Sequence, residues 1–208
     1  MTTQRSILTG QTDFTMMYAA HDAFSFHLDR LVEAADAGGG WSEATAIRWS
    51  RLTRQLHIHH RAEDEALWPP LQAQISDADE LAVLAAMEAE HGYLDPAMAA
   101  VDSAFADRDA DGLTNALLRM RIGLTGHMRH EENAALPLVE TYLGPKGWDE
   151  FGRYIRRTLG LRAGAEYFPW LLEGASPEMT ARVLRLVPPP VRLLYRWVWQ
   201  PRYQRASG

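Results

Sequence analysis

Two segments of the chain place a histidine four residues before a glutamate: His59 with Glu63, and His127 with Glu131. A lone histidine precedes each pair, His21 lying 38 residues before His59 and His91 lying 36 residues before His127. After each pair come an acidic residue, a leucine and a proline: Asp64, Leu67 and Pro69 in the first half, Glu132, Leu136 and Pro137 in the second. Positions i and i+4 of an α-helix lie one above the other on the same face, so each pair aims an imidazole and a carboxylate into one space. Two such pairs and two single histidines suit a pair of metal ions at the centre of a four-helix bundle.

Taken singly, each of these residues has an ordinary explanation. A lone histidine on an apolar helix face is usually a core residue bonded to a neighbour, and one i,i+4 His/Glu pair is commonly a surface contact. The repeat outweighs those explanations. Four imidazoles and two carboxylates cannot be buried cheaply without partners, and a cation of charge two or three supplies them. There is no cysteine, which excludes disulfides, thiolate metal sites and Cys-ligated iron–sulfur clusters. Histidine and carboxylate remain, a ligand set suited to iron, manganese or zinc.

Positioning these residues requires long helices, and the chain is patterned for four of them. The first is expected over residues 13–36, with the apolar stripe Phe14, Met17, Tyr18, His21, Phe24, Leu28 and Leu31, stopped by Gly38-Gly39-Gly40. The second starts behind a Ser42 cap and is broken by Pro69-Pro70. The third follows the capping signal Ser76-Asp77-Ala78-Asp79 and carries Leu84, Met87, His91, Leu94 and Met98, with a kink expected at Pro96. The fourth spans 111–136, with Leu117, Met120, Leu124 and His127 facing inward. No strand-like alternation appears, so the fold is expected to be all-α. His57 and His130 fit a supporting shell around the ligands, while His27 falls toward the polar side of its helix and reads as structural or exposed.

Charge divides the chain. Residues 1–137 hold 10 Lys/Arg and 21 Asp/Glu, a net −11, whereas residues 138–208 hold 11 and 6, a net +5. A basic tail docked on an acidic body is the simplest reading. Gly144-Pro145-Lys146-Gly147 marks the boundary, giving a bundle over 1–140 and an extension over 141–208. Short helices are expected in the extension over 148–159, over 163–173, from Ser176-Pro177, and after Pro188-Pro189-Pro190. Its last helix is aromatic and arginine-rich, so peripheral contact with an anionic membrane or a subunit interface are alternatives to simple docking. Nothing marks it as a nucleic-acid binder. No apolar run is long enough to span a membrane and residues 1–5 carry no signal-peptide core, so the expected location is cytoplasmic and the expected state a monomer or homodimer.

The order His, His-x-x-x-Glu, His, His-x-x-x-Glu, with an acidic residue, Leu and Pro after each pair, resembles the hemerythrin-like (HHE cation-binding) domain over roughly residues 13–140. The resemblance implies an up-down-up-down four-helix bundle holding two iron ions bridged by an oxygen atom. It further implies that Glu63 and Glu131 are bridging carboxylates and that His21, His59, His91 and His127 are terminal ligands. The family's oxygen carriers use five histidines, two of them on the third helix, where this chain offers only His91, flanked one turn away by Met87 and Asp95. The fifth ligand is therefore missing, replaced by solvent, or supplied from elsewhere. His60 is the first candidate by proximity, ahead of Asp64, Tyr93 and Asp95.

An under-ligated site would leave more exchangeable positions, favouring reaction with oxygen, hydrogen peroxide or nitric oxide over reversible oxygen carriage. Catalase-like disproportionation of peroxide is the expected chemistry, with Tyr93 or His130 as proton-shuttle candidates. The alternatives are a non-catalytic sensor or store of oxygen, nitric oxide or iron, and a redox-inert metal-binding bundle. A ferritin-like oxidase, which uses Glu-x-x-His pairs, fits poorly: Glu88 precedes His91 in that spacing, but Leu56 and Leu124 stand before His59 and His127.

Overall fold

The computed structural model describes residues 10–38 and 40–207. Gly39, the middle of the expected glycine stop, lies outside them, as do residues 1–9, which include the segment expected to lack a signal-peptide core.

Helix α1 covers Thr15–Asp36 and stops just before Gly38, whose φ of 76° is the left-handed geometry that ends a helix. Helix α2, Glu43–Ala66, is capped by the Ser42 hydroxyl, which accepts from the Thr45 amide. Leu67 breaks α2, and the two prolines behave differently from expectation: they sit in the first turn of a short helix α3, Trp68–Gln72, where their missing N–H costs nothing. Helix α4, Ala78–Asp107, is capped by Asp77 and runs unbroken through Pro96. The turn into the next helix needs only Arg108 and Asp109, Arg108 adopting the left-handed conformation (φ 52°, ψ 38°). Asp109 then caps helix α5, Ala110–His130, through the Gly112 amide. A Cβ on Gly112 would lie 2.2 Å from the Asp109 carboxylate, so glycine is what lets this cap close.

After His130 the helix widens. Glu131–Ala135 forms a π-helical turn, Leu136–Leu138 a short α-turn (α6), and Val139–Leu143 a second π-turn. Pro137 accounts for the first widening. It has no N–H, and its ring would crowd the carbonyl four residues back in a regular helix. The chain instead bonds the Leu136 amide to the Glu131 carbonyl, five residues apart.

Helices α1, α2, α4 and α5 form the bundle, each packed on two of the others. Its core has two apolar layers. One contains Phe14, Met17, Tyr18, Leu67, Leu71, Leu84, Met87, Leu136 and Val139. The other contains Phe24, Leu28, Leu52, Leu56, Leu94, Met98, Leu117, Met120 and Leu124. Along the bundle helices His21, His59, His60, His91 and His127 fall in sequence between the large apolar residues named for one layer and those named for the other, so this polar cluster is a slab held between two oily ones.

The extension folds back on the bundle. Helix α7, Gly144–Leu171, bends at Gly160 (φ 67°, ψ 176°), which separates the two pieces expected from sequence. Helix α8 covers Pro177–Leu186. A continuous helical run then follows: α9 over Pro189–Leu194, a π-turn over Tyr195–Trp199 and α10 over Gln200–Ser207. This π-turn ends two residues before Pro201, as the two earlier ones end two residues before Pro137 and Pro145. Trp170 enters the bundle core against Phe24, ring centroids 5.1 Å apart, and Arg182 of α8 donates to Thr15 Oγ1 at 2.9 Å. Among the described residues there is no strand, and no helix is long and apolar enough to cross a membrane.

Candidate metal centre

Each bundle helix delivers its polar residues to the slab by its own register. On α2 the buried stripe Trp49, Leu52, Leu56 continues at helical spacing into His60 and Glu63, and His59 flanks it facing α1, 5.4 Å ring to ring from His21. From α4 comes His91, from α5 His127, and from the π-turn Glu131. Potential ligand atoms of His60, His91 and His127 lie within 4.8 Å of one another, as do those of His21, His59 and Glu131. A third group, Glu63, His127 and Glu131, joins the two.

Thus the six residues expected from the repeat converge, and His60 converges with them. The gap left by Met87 on α4 is filled in space from α2, where the His60 ring stacks on His91 at 3.9 Å. Five imidazoles, not four, surround the centre, so the described residues do not leave it short of a histidine. His60 was legible: it stands four residues after buried Leu56, on the same stripe.

Nine of the twelve buried side-chain N and O atoms without a hydrogen-bond partner among the described residues belong to this cluster. They are Nε2 of His21, His59, His60, His91 and His127, and all four oxygens of Glu63 and Glu131. Some approach closely, His21 Nε2 to Glu131 Oε2 at 3.0 Å and His59 Nε2 to Glu63 Oε1 at 3.1 Å, but their directions do not make hydrogen bonds. Leaving that many polar atoms unsatisfied is untenable for a stable core. Two divalent cations would satisfy them together, with Glu63 and Glu131 lying between the two histidine groups. The residues fit such a pair.

On three of the five imidazoles the opposite ring nitrogen is held by a carboxylate. His21 Nδ1 lies 2.7 Å from Glu132 Oε1, His91 Nδ1 2.9 Å from Asp64 Oδ1, and His127 Nδ1 2.9 Å from Glu90 Oε2. These contacts fix which nitrogen faces the centre and make the imidazoles stronger donors. Both Glu131 and Glu132 reach His21, one on each ring nitrogen, from adjacent positions at the start of the π-turn. Asp64 therefore supports His91 from outside and is not the fifth ligand.

Burial dominates the protonation of the cluster. It pushes His59, His60 and His91 down, reinforced by their imidazole neighbours, His91 to about 3. Burial also pushes Glu63 well up, aided by the Glu131 and Asp64 charges. His21 is the exception: burial lowers it, but Glu131 and Glu132 outweigh that and hold it at about 9.

Several candidates lie elsewhere. Tyr93 is 84% exposed on the solvent face of α4, too far out to shuttle protons at the centre. His57 and Asp95 face each other at 4.0 Å on the surface, both well exposed, so His57 is not a supporting residue and Asp95 not a ligand. His130 does connect: its Nδ1 lies 2.8 Å from the second oxygen of Glu90, the carboxylate that holds His127. His27 is fully buried, because the end of α7 covers the side of α1 that helical phase assigns to solvent.

The profile of the hemerythrin HHE cation binding domain matches residues 12–139, more than half of the chain. The chain belongs to the hemerythrin HHE cation-binding family. As a family member it is a cation-binding helical bundle, and its buried His/Glu cluster is where such a cation would sit. The match ends at 139, so the extension that covers α1 and α2 lies beyond it. Comparison with curated proteins and with solved structures gave no significant match.

Proposed function

We propose that the protein holds two iron ions and uses them to bind and react with oxygen, hydrogen peroxide or nitric oxide, with catalase-like disproportionation of peroxide to oxygen and water, which needs no outside reductant, as the leading activity. In this reading His21 and His59 serve one ion, His60, His91 and His127 the other, and Glu63 and Glu131 bridge them. The observation that carries it is the convergence of five partnerless Nε2 atoms and two partnerless carboxylates in one buried slab. Iron bound there would supply a two-electron redox couple.

Reaction is favoured over carriage by the surroundings of the ligands. Three of the imidazoles hydrogen-bond to carboxylates, which increases their basicity and favours the oxidised state of a bound metal. The chain also offers a proton route: His130, partly exposed, meets Glu90, and Glu90 meets buried His127. Both apolar layers shield the slab from bulk water.

Metal analysis with optical spectroscopy tests the proposal. Purified protein should carry about two irons per chain, and adding peroxide, nitric oxide or azide should change its spectrum. Oxygen should evolve from peroxide faster than from the same concentration of free iron. Glu63→Ala should lose the paired centre. Full iron content in that variant would refute the bridging assignment, and spectral change without turnover would replace catalysis by sensing.

A further inference from the structure

The helical run from Pro189 to Ser207 has two faces, and docking accounts for only one. Tyr195, Trp199 and Tyr203 recur every four residues and turn toward the protein. Tyr195 is buried, Trp199 stacks on Phe168 at 6.4 Å, and Tyr203 donates to Glu173 at 2.7 Å beneath the Arg51 guanidinium. The opposite face carries Leu193, Leu194 and Trp197, which are 61%, 42% and 70% exposed. Leu186, also exposed, ends α8, and Arg192 ties that end to α9 by donating to the Arg185 and Val187 carbonyls. Of the seven large hydrophobics exposed among the described residues, four fall within 186–197, so this is a patch and not random scatter.

Charge indicates what covers it. Residues 179–208 contain six arginines, Arg182, Arg185, Arg192, Arg196, Arg202 and Arg205, and no aspartate or glutamate. Arg185, Arg196, Arg202 and Arg205 are exposed, and Arg196 lies over the Trp197 ring at 5.4 Å. Residues 1–137 carry a net −11, so a negatively charged surface attracts this end and repels the other.

We propose that the outer face of this C-terminal helical run is a docking site for an anionic lipid surface. Leu193, Leu194 and Trp197 enter the headgroup boundary and the arginines meet the lipid phosphates. Tyr195, Trp199 and Tyr203 remain on the bundle, so the helix need not detach to bind.

The test is co-sedimentation of the full-length protein with vesicles of phosphatidylglycerol and phosphatidylcholine, and with vesicles of phosphatidylcholine alone. Binding is expected on the anionic vesicles only, weakening as salt is raised. Leu193→Ser with Trp197→Ala should weaken it on the order of tenfold, and Arg196→Gln with Arg205→Gln by about fivefold for each charge removed. Ile122→Ser, which removes an equally exposed hydrophobic from α5, should change nothing. All these side chains are exposed, so melting temperatures should stay constant and separate lost binding from lost folding. Bromine-labelled lipid tails should quench fluorescence in the native protein and less in Trp197→Phe. Equal binding to neutral vesicles, or no binding to either, would overturn the proposal. So would a concentration-dependent dimer abolished by Trp197→Ala, which would make a second copy of the chain the occupant.

Discussion

His57 and His60 are three positions apart on α2, yet only one belongs to the centre. His57 faces Asp95 in solvent, while His60 stacks on His91 with its Nε2 buried and unsatisfied. Replacing each by alanine therefore separates ligation from mere histidine content. His60→Ala should lower iron from about two per chain toward about one, because it removes an imidazole from one ion and leaves His21 and His59 for the other. His57→Ala should retain full iron and the native spectrum. Asp64→Asn is an intermediate case: it weakens the partner of His91 Nδ1 without removing a ligand, so iron affinity should fall by roughly 10–100-fold with stoichiometry intact. If His57→Ala and His60→Ala lose iron equally, His60 has no special role. Elemental analysis of the three variants after identical dialysis makes the comparison.

Helix-level features decide where those side chains point. The four long helices and the caps at Ser42 and Asp77 are readable from spacing and capping chemistry, because both are local. Two features were not. The π-turn at Glu131 depends on how Pro137 is accommodated, and it brings both Glu131 and Glu132 onto His21, which an i,i+4 rule cannot foresee. The burial of His27 depends on α7, some 140 residues away in sequence, whose Trp170 carbonyl accepts from His27 Nε2 at 3.0 Å, |i−j| being 143. Each gives a prediction. Pro137→Ala permits a regular helix, so the chelated protein should melt higher while iron binds more weakly, since Glu132 turns away from His21. Unchanged iron affinity would show that the π-turn does not position Glu132. His27 is held neutral, with burial pushing it from 6.5 to about 4 and the Arg48 and Arg51 charges adding to that. Above pH 6.5 it costs nothing. As pH falls from 6.5 toward 4 the unfolded chain takes a proton that the native chain refuses, so stability drops by roughly 3 kcal/mol at most. His59, His60 and His91 act in the same direction, so the His27 contribution is the difference between native protein and His27→Gln, unfolded by denaturant with chelator present. That difference should grow through this window, and a constant difference would remove His27 as the cause.

For the molecule as a whole, the bundle is built around a charge it does not itself contain, and this links metal, protons and stability. Without metal, Glu63 is held protonated by burial and by the neighbouring carboxylates, while His21 holds a proton up to about pH 9 against the cost of burial, because Glu131 and Glu132 flank it. Both folded-state values are raised, so both groups favour folding at low pH and lose that contribution as pH rises. The Glu63 contribution declines above the ordinary carboxylate range near 4.5, and that of His21 between 6.5 and about 9. Chelated protein should therefore become progressively less stable from pH 6.5 to 9, opposite in sign to the His27 effect at lower pH. Loading metal displaces both protons. Its uptake should therefore release protons, and its affinity should rise with pH. Calorimetric titration in buffers of differing ionisation enthalpy measures the release directly. Glu63→Gln with Glu131→Gln removes the carboxylate that burial keeps protonated, Glu63, and the negative partner of His21 Nε2, Glu131. That variant should fail to hold the metal pair, yet with chelator present it should melt above the native protein at pH 9, because the buried Glu63 position no longer has to ionise. A chelated native protein equally stable at pH 7 and 9, or metal uptake without proton release, would break the link between the cluster and a cation.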